Sequence, residues 1–418
     1  MSMLPMSMQY AARKVPAVQA SSILRSFSAS NGTTFNTSTN EIRIPVNCDG
    51  FLDGSKSYLQ FTINNSGGNT AGLDPYGLCW CDQLRIESNG QVLERVERAG
   101  VYDTLRRRWT KGQKAITKMN VVAGGPAPGA ATVPNDGKAL ATTDTVTLAM
   151  DLPLGFLNAH HGRAVPKGAS FDLVIRVNST LAECFKFTTA ATVFSIDTPR
   201  FYAPVFQVED AQVMDDYSAA LMERGISWSG DSVKSYVNSV AAGAGTKTLQ
   251  INDRSNSLKG LITVLRDNAT IAAATSNSIG HSTIEGITQV RTSIAGRNYP
   301  PDNITVSSVA TTVDVARLYT ECAKVLAPEG ELECDPAVVE ATYAGLTQTS
   351  AQGVIAVDLK HFDDDKLIMV GLNTASNNSP STIELQAVAA ATACEAVTYA
   401  VAEAIWTLDS RGQLSVAI

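Results

Sequence analysis

The chain has 418 residues, of which 44% are hydrophobic and 17% are charged, with a net charge of −7. This composition excludes a disordered chain, and the length favours two ordinary cores over one. The mild negative charge gives no general case for nucleic-acid binding. No run reaches transmembrane length without charge, because Glu395 and Glu403 interrupt the most apolar stretch.

Residues 1–40 are predicted to form an N-terminal arm. They contain Arg13, Lys14 and Arg25 and no acidic residue, and Ser, Thr and Asn dominate their second half. Such a segment cannot bury enough apolar surface to order itself, so it either orders against a partner or frays. It has no apolar core of signal-peptide length, and we expect synthesis inside the cell with reduced cysteines.

Folded structure is predicted to start at Glu41, where apolar and polar residues begin to alternate. The first half of the chain contains further short segments of this kind, which are typical of half-buried strands. These predicted strands are 41–46, 58–63, 146–154, 171–177, 184–187, 193–196 and 201–208.

The stretch Asp82–Lys111 shows how the strands are organised. Leu84 and Ile86 lie on a strand, and Ser88-Asn89-Gly90 is typical of a tight hairpin that returns the chain. The period then changes, because Val101, Leu105 and Trp109 share one helical face. A hairpin that leads into one helix predicts a β-barrel or sandwich with a helix against it.

The second half repeats this order. The acidic segment 209–224 is predicted to be an irregular connector, which divides the chain into domains at 41–208 and 225–418. A helix is predicted at Thr312–Val325, among strands at 226–228, 235–240, 248–251, 258–265, 355–359, 367–370 and 383–388. The alanines of Val388–Ala404 favour a helix, but their place in the repeat predicts a strand instead.

Several motifs in their order carry a resemblance to a known family. They are FLD…SYLQF (Phe51–Phe61), IESNGQVLE (Ile86–Glu94), a helix with Tyr102, Pro153-Leu154, Pro166 and Gly168 before Phe171–Val177, Gly296 with Tyr299 and Pro300, Leu318-Tyr319, Ala356–Thr374 and the terminal LDSRGQLSV. From about residue 41 onward the chain resembles the double jelly-roll major capsid proteins of tailless double-stranded DNA viruses. The Polinton-like and adintovirus-like group, in the adenovirus-hexon-type lineage, is most similar.

The resemblance implies an all-β fold of two tandem eight-stranded jelly rolls with short accessory helices. It also implies a homotrimer whose six barrels form a pseudo-hexagonal capsomer of an icosahedral virion shell. The partners would be neighbouring capsomers, penton and minor capsid proteins, with an inner membrane or the genome near the arm. No catalysis, cofactor or small-molecule substrate is expected.

A basic segment follows the predicted hairpin. It contains Arg95, Arg98, Arg106, Arg107, Arg108, Lys111, Lys114 and Lys118. One interpretation is a solvated helix face. The other is an electrostatic assembly contact with acidic groups of a neighbouring subunit, or with genome or lipid.

The residues are also compatible with two other classes of protein. A carbohydrate-binding jelly-roll protein needs an exposed aromatic platform or a carboxylate pair, whereas Trp80, Trp109, Trp228 and Trp406 lie in apolar patterns typical of a core. A viral surface or fibre domain would show a repeat or a stalk. The sequence contains no common nucleotide, zinc-protease or serine-hydrolase motif, and His160-His161 and Asp363–Asp365 are weak metal candidates.

Overall fold

The computed structural model describes residues 20–68, 71–73, 78–110, 139–180, 185–187, 193–272, 284, 286–306, 315–326, 354–361, 370–376, 380–388 and 391–418. Strands dominate these residues. They form two pairs of larger sheets and one small three-stranded sheet.

The first half of the described chain contains thirteen strands and two helices. The strands are β1 (Ala20–Ser28), β2 (Thr34–Phe35), β3 (Glu41–Asn47), β4 (Phe51–Leu52), β5 (Tyr58–Asn65), β6 (Ala71–Leu73), β7 (Cys81–Ser88), β8 (Gln91–Glu97), β9 (Ala139–Leu140), β10 (Thr145–Met150), β11 (Ser170–Val177), β12 (Phe185–Phe187) and β13 (Phe194–Val208). The helices are α1 (Ala99–Thr110) and α2 (Ala211–Arg224). Short 3₁₀ turns occur at Gly54–Lys56 and His160–Gly162.

The second half of the described chain has the same kinds of element. Its strands are β14 (Ile226–Val240), β15 (Gly245–Ile251), β16 (Leu258–Asp267), β17 (Ile287–Ile294), β18 (Arg297–Asn298), β19 (Ile304–Thr305), β20 (Val354–Asp358), β21 (Ser381–Ala387), β22 (Cys394–Leu408) and β23 (Leu414–Ala417). Its helices are α3 (Asn268–Ala272) and α4 (Val315–Leu326).

Each half folds into a jelly roll. In the first, two antiparallel sheets have the orders β1-β13-β5-β10 and β3-β11-β7-β8. In the second, the matching sheets have the orders β14-β22-β16-β20 and β15-β21-β17-β18. Each pair thus has eight strands along its two main paths, and the two orders correspond strand for strand. The predicted class, all-β with two tandem eight-stranded jelly rolls and short helices, is confirmed.

The predicted hairpin with a following helix also occurs twice. In the first roll β7 pairs with β8 and α1 follows, and in the second β17 pairs with β18 and β19 and α4 follows. Asn89 and Gly90 both have positive φ in the first hairpin, as its sequence predicts. Leu318 and Cys322 of α4 are buried, so this helix closes part of the core of the second roll.

The predicted start of folded structure at Glu41 is wrong, because β1 lies inside the predicted arm. β1 is an edge strand that pairs with β13 along its whole length, from Ala20 opposite Val208 to Ser28 opposite Arg200. Most of its side chains are exposed. Backbone hydrogen bonds to β13, more than burial of its own side chains, therefore order this strand.

The prediction of an irregular connector is also corrected, because 211–224 is the helix α2. Asp210 caps it, accepting hydrogen bonds at Oδ1 from the backbone N–H of Gln212 (3.0 Å) and Val213 (3.4 Å). Gly225, with φ of 72°, ends it. None of the residues of α2 is buried, so caps and not an apolar stripe define this helix.

The alanine-rich segment is a strand from Cys394 onward, as predicted. β22 lies between β14 and β16, and its pairing with β14 runs over its full length. Ala396, Ala400, Ala402 and Ala404 are fully buried. Ladder hydrogen bonds on both edges and burial on both faces outweigh the weak helix preference of alanine.

Candidate functional site: the interface between the two jelly rolls

The two jelly rolls meet along a continuous buried surface, here called the inter-roll interface. The first roll contributes Glu94–Tyr102 and Leu152–His160, from β8, α1 and the β10–β11 connection. The second contributes Trp228–Ser235 of β14 and Glu395–Trp406 of β22. Side-chain and backbone contacts join these four segments.

An aromatic cluster forms the apolar centre of the interface. Phe156 of the first roll packs edge-on against Trp228 and Trp406 of the second, with ring centroids 5.3 and 5.7 Å apart. The Trp228 Nε1–H points at the Phe156 carbonyl oxygen, 3.4 Å away. A second ring contact joins Tyr102 and Tyr399 at 5.0 Å. Buried aromatic pairs of this kind are usually the largest contributors to an interface.

Two glycines allow the backbones of the two rolls to approach closely. A Cβ atom added to Gly155 would lie 2.1 Å from the Asp231 carbonyl oxygen, and one added to Gly230 would lie 2.7 Å from the Gly155 carbonyl oxygen. Ala159 also forms an isolated antiparallel bridge with Gly230. Residues with a side chain do not fit at these positions unless the rolls move apart.

A buried carboxyl group, that of Glu94, fixes the Gly155 turn. Its Oε1 and Oε2 accept hydrogen bonds from the backbone N–H groups of Gly155 and Phe156, each at 2.9 Å. Burial raises the pKa of Glu94 to about 7, although the N–H groups of Phe156, Gly155 and Val233 act in the opposite direction. This group therefore titrates near neutral pH.

Charged groups surround the buried aromatic cluster. His160 Nε2 lies 3.2 Å from Asp231 Oδ1, and Lys259 Nζ lies 2.7 Å from the same oxygen. Burial would raise the pKa of Asp231, but the neighbouring His160 and Lys259 hold it below its ordinary value. The buried carboxylate of Glu403 lies 3.9 Å from His160.

Arg98, one of the predicted contact residues, bridges the two rolls. Its guanidinium lies 2.9 Å from Asp82 in its own roll and 2.9 Å from Glu395 in the other. Its carbonyl oxygen accepts a hydrogen bond from the Tyr399 hydroxyl at 3.0 Å. Glu395 also binds the buried Arg266 at 2.9 Å. Arg98 therefore contacts the second half of its own chain.

Arg106 and Arg107 form ion pairs within the first roll. Arg107 is 1% exposed, and its guanidinium binds Asp103 and Asp151, each at 2.7 Å. Arg106 binds the same two carboxylates. Burial lowers the pKa of Arg107 less than the two negative charges raise it, so the net shift is upward. These residues attach α1 to the start of the β10–β11 connection.

Of the remaining predicted contact residues, the structure describes the side chains of two. Arg95 is exposed and pairs with Glu97, and Arg25 is half-buried and pairs with Asp49. The side chain of Arg108 and all of Lys111, Lys114, Lys118, Arg13 and Lys14 lie outside the described residues, as do Asp363–Asp365.

Sequence reasoning missed Glu94 and Phe156. Glu94 stands in the run LERVE, where a charged residue on an alternating strand is usually solvated. Phe156 follows Pro153-Leu154-Gly155, and nothing local distinguishes an interface aromatic from a core aromatic. The Gly155-Phe156 pair was the available signal, because a glycine beside a large apolar residue in a connection is typical of close backbone packing.

The described part of the chain also contains most of the tryptophans and cysteines of the protein. Trp80, Trp228 and Trp406 are buried, as predicted, and the side chain of Trp109 is not among those described. Cys48, Cys79, Cys81, Cys322 and Cys394 are buried. Across the described ranges, no three His, Cys, Asp or Glu residues are grouped as metal ligands would be, and no helix could cross a membrane.

No protein-family model matches the chain, and a search of curated proteins finds no match. Solved structures do match. The PBCV-1 virus capsid aligns over 99% of both chains, with a TM-score of 0.63 at 12% identity. The Faustovirus major capsid protein aligns over 95% of this chain and 92% of its own, with a TM-score of 0.63 at 9% identity. The mavirus major capsid protein aligns over 100% and 95%, with a TM-score of 0.53 at 10% identity.

These likenesses extend over both jelly rolls and the helix between them. The chain therefore has the double jelly-roll fold of viral capsid proteins.

Proposed function

We propose that this chain is a major capsid protein, three copies of which form a pseudo-hexagonal capsomer that tiles an icosahedral virion shell. One observation carries the proposal: the fold of almost the whole chain, both jelly rolls included, aligns with almost the whole length of known capsid proteins. An incidental jelly-roll domain would align over one roll only.

The inter-roll interface supports a structural role. Aromatic rings, close-packed glycines and ion pairs hold the two rolls in one arrangement. A rigid pair of similar barrels is a suitable building unit for a symmetric ring, where function lies in buried side-to-side surface and not in a pocket. No catalytic role is part of the proposal.

The proposal includes the finer expectations from sequence. The lineage would be the Polinton-like and adintovirus-like one, and the partners would be neighbouring capsomers, penton proteins and minor capsid proteins. The domain division would be 41–208, the connector 209–224 and 225–418, with β1 added to the first roll. The arm, with Arg13 and Lys14, would face the genome or an inner membrane, whereas Arg25 lies in β1 and pairs with Asp49.

The electrostatic assembly contact is proposed in a narrower form. Arg98, Arg106 and Arg107 bind carboxylates of their own chain and are buried or half-buried, whereas Arg95 is exposed although it pairs with Glu97. The contact would therefore use Arg95 with the other basic residues of the segment, namely Arg108, Lys111, Lys114 and Lys118. Replacement of the three lysines by Gln should weaken assembly at low salt and have little effect at high salt. Unchanged assembly across a salt series would remove this contact from the proposal.

The mass of the purified protein tests the proposed function. Light scattering should give a mass near three times that of one 44.3 kDa chain, and negative-stain images should show particles or sheets at high concentration. A stable monomer that binds strongly to a glycan array would instead favour a carbohydrate-binding protein.

A further inference from the structure

The strand β1 presents an uncovered edge of the first jelly roll. Among the described residues β1 pairs only with β13, which leaves its other edge open. Ile23 is 46% exposed and Leu24 is 55% exposed. Because successive strand residues point to opposite faces of a sheet, β1 exposes apolar side chains on both faces. Folded proteins usually cover such an edge.

The second roll contains a strand equivalent to β1, and there this strand is covered. β14 has the sheet position of β1, next to the long strand β22 as β1 is next to β13. Ser229 of β14 pairs with Ile405 of β22, as Ile23 of β1 pairs with Val205 of β13. On the opposite edge of each long strand, the short strand β23 pairs at Ile405 and the short strand β4 pairs at Val205. Ser229 is 4% exposed, in contrast to Ile23.

The first roll is what covers β14. Gly230 bridges with Ala159, Trp228 packs on Phe156, and the Ser235 hydroxyl accepts a hydrogen bond from the backbone N–H of Glu97 at 3.1 Å. The covering elements are thus β8 and the β10–β11 connection. In the second roll, β18 and β19 stand in the position of β8.

We propose that β1 is the surface on which the second jelly roll of a neighbouring copy docks, with β18 and β19 of that copy beside β1 as β8 is beside β14. This inference rests on the proposed capsomer and assigns its contact between subunits. The contact within the chain and the contact between chains would then be repeats of one arrangement. The apolar pair Ile23 and Leu24 would be buried in the contact between chains.

Photo-crosslinking from β1 tests the assignment. Leu24 is replaced by p-benzoylphenylalanine, and light and ¹⁵N-labelled full-length chains are mixed before assembly. Light scattering records the mass of the sample, irradiation follows, and mass spectrometry identifies the crosslinked peptides. We expect mixed light–heavy pairs that join position 24 to the peptide containing residues 297–305.

Each other outcome overturns the assignment in a distinguishable way. A three-chain mass with crosslinks to residues 1–19, to β1 of another copy or to another surface, or with no crosslink, removes the β1 contact and leaves the capsomer standing. A single-chain mass removes the capsomer itself, and the β1 contact with it.

A pair of variants gives an independent readout. The double variant Ile23→Asp, Leu24→Asp should reduce the three-chain species at least tenfold and leave the circular dichroism spectrum of the monomer unchanged. Val193→Asp is the matched control, because Val193 is 61% exposed and lies before the part of β13 that pairs with β1. An equal loss of assembly in both variants, or in neither, would contradict the proposal.

Discussion

The ring of Phe156, from the first jelly roll, packs edge-on against that of Trp228, from the second, with centroids 5.3 Å apart and an interplanar angle of 70°. Phe156 is fully buried, although it lies in a connection between strands. The two rolls therefore share one continuous hydrophobic core across the inter-roll interface.

Phe156→Ala should destabilise the whole chain. The change removes ring contacts with Trp228, Trp406 and Phe171 and leaves a cavity between the rolls. We expect a loss of about 3–5 kcal/mol in the free energy of unfolding, measured by urea titration. Val193→Ala is the exposed control and should change it by less than about 0.5 kcal/mol. Equal effects in the two variants would contradict a shared core.

Gly155→Ala should separate the rolls without removing any contact group. The new Cβ would lie 2.1 Å from the Asp231 carbonyl oxygen, which is backbone and cannot turn aside. We expect faster protease cleavage between the rolls and a lower melting temperature. Gly68→Ala is the control, since nothing lies within 4 Å of its added Cβ. A melting temperature equal to that of the control would show that the rolls do not meet as described.

Glu94 should make stability fall as pH rises. Its pKa is about 7 in the folded chain against an ordinary value of 4.5, so between these values the folded state holds a proton that the unfolded state has lost. The stabilisation is thus complete below about pH 4.5, declines by up to about 3 kcal/mol as pH rises to about 7, and changes little above it.

The comparison with Glu94→Gln isolates this effect from the other titrating groups. The free energy of unfolding is measured from pH 4.5 to 8 for both chains. The difference between them should change across the window, because Gln carries no proton to lose. A constant difference would show that Glu94 titrates at its ordinary pKa.

Arg107→Met should be costly because it leaves the buried carboxylate of Asp103 without its closest cation. We expect a loss of about 3–5 kcal/mol in the free energy of unfolding. Arg95→Met removes an exposed pair on the same segment and should cost less than about 1 kcal/mol. The reverse order of effects would mean that the basic segment acts at the surface and not within the fold.

The ion pairs of Asp151 with Arg106 and Arg107 should weaken in acid. Burial alone would raise the pKa of Asp151, but Arg106 and Arg107 outweigh it and hold this pKa well below its usual range. The pair therefore stabilises the chain above the unfolded pKa of an aspartate, and this contribution is lost as pH falls through the lower folded value. Asp151→Asn should remove this acid dependence, and an unchanged unfolding profile below pH 4 would contradict it.

Alternation and turn chemistry predicted much of the fold. They located the β7–β8 hairpin with α1 and the repeat of this unit in the second half, and the place in that repeat predicted a strand for the alanines of β22. They missed β1 because its adjacent apolar residues Ile23 and Leu24 do not show the alternation of a half-buried strand. They missed α2 because it has no apolar stripe, although Asp210 and Gly225 mark both of its ends.

The interface was harder to predict than the fold. Arg98, Arg106 and Arg107 were singled out as charges, but their partners Glu395 and Asp151 are distant in sequence. A linear pattern shows that a basic cluster exists and not which carboxylates face it. Only the docking of one roll on the other determines that Arg98 is used within the chain.

Electron microscopy of the purified assembly tests the central claim most directly. Two-dimensional averages should show a three-fold symmetric particle with six lobes of similar size, two from each chain. Averages with two lobes from an isolated chain, or rings with a number of chains other than three, would contradict the account.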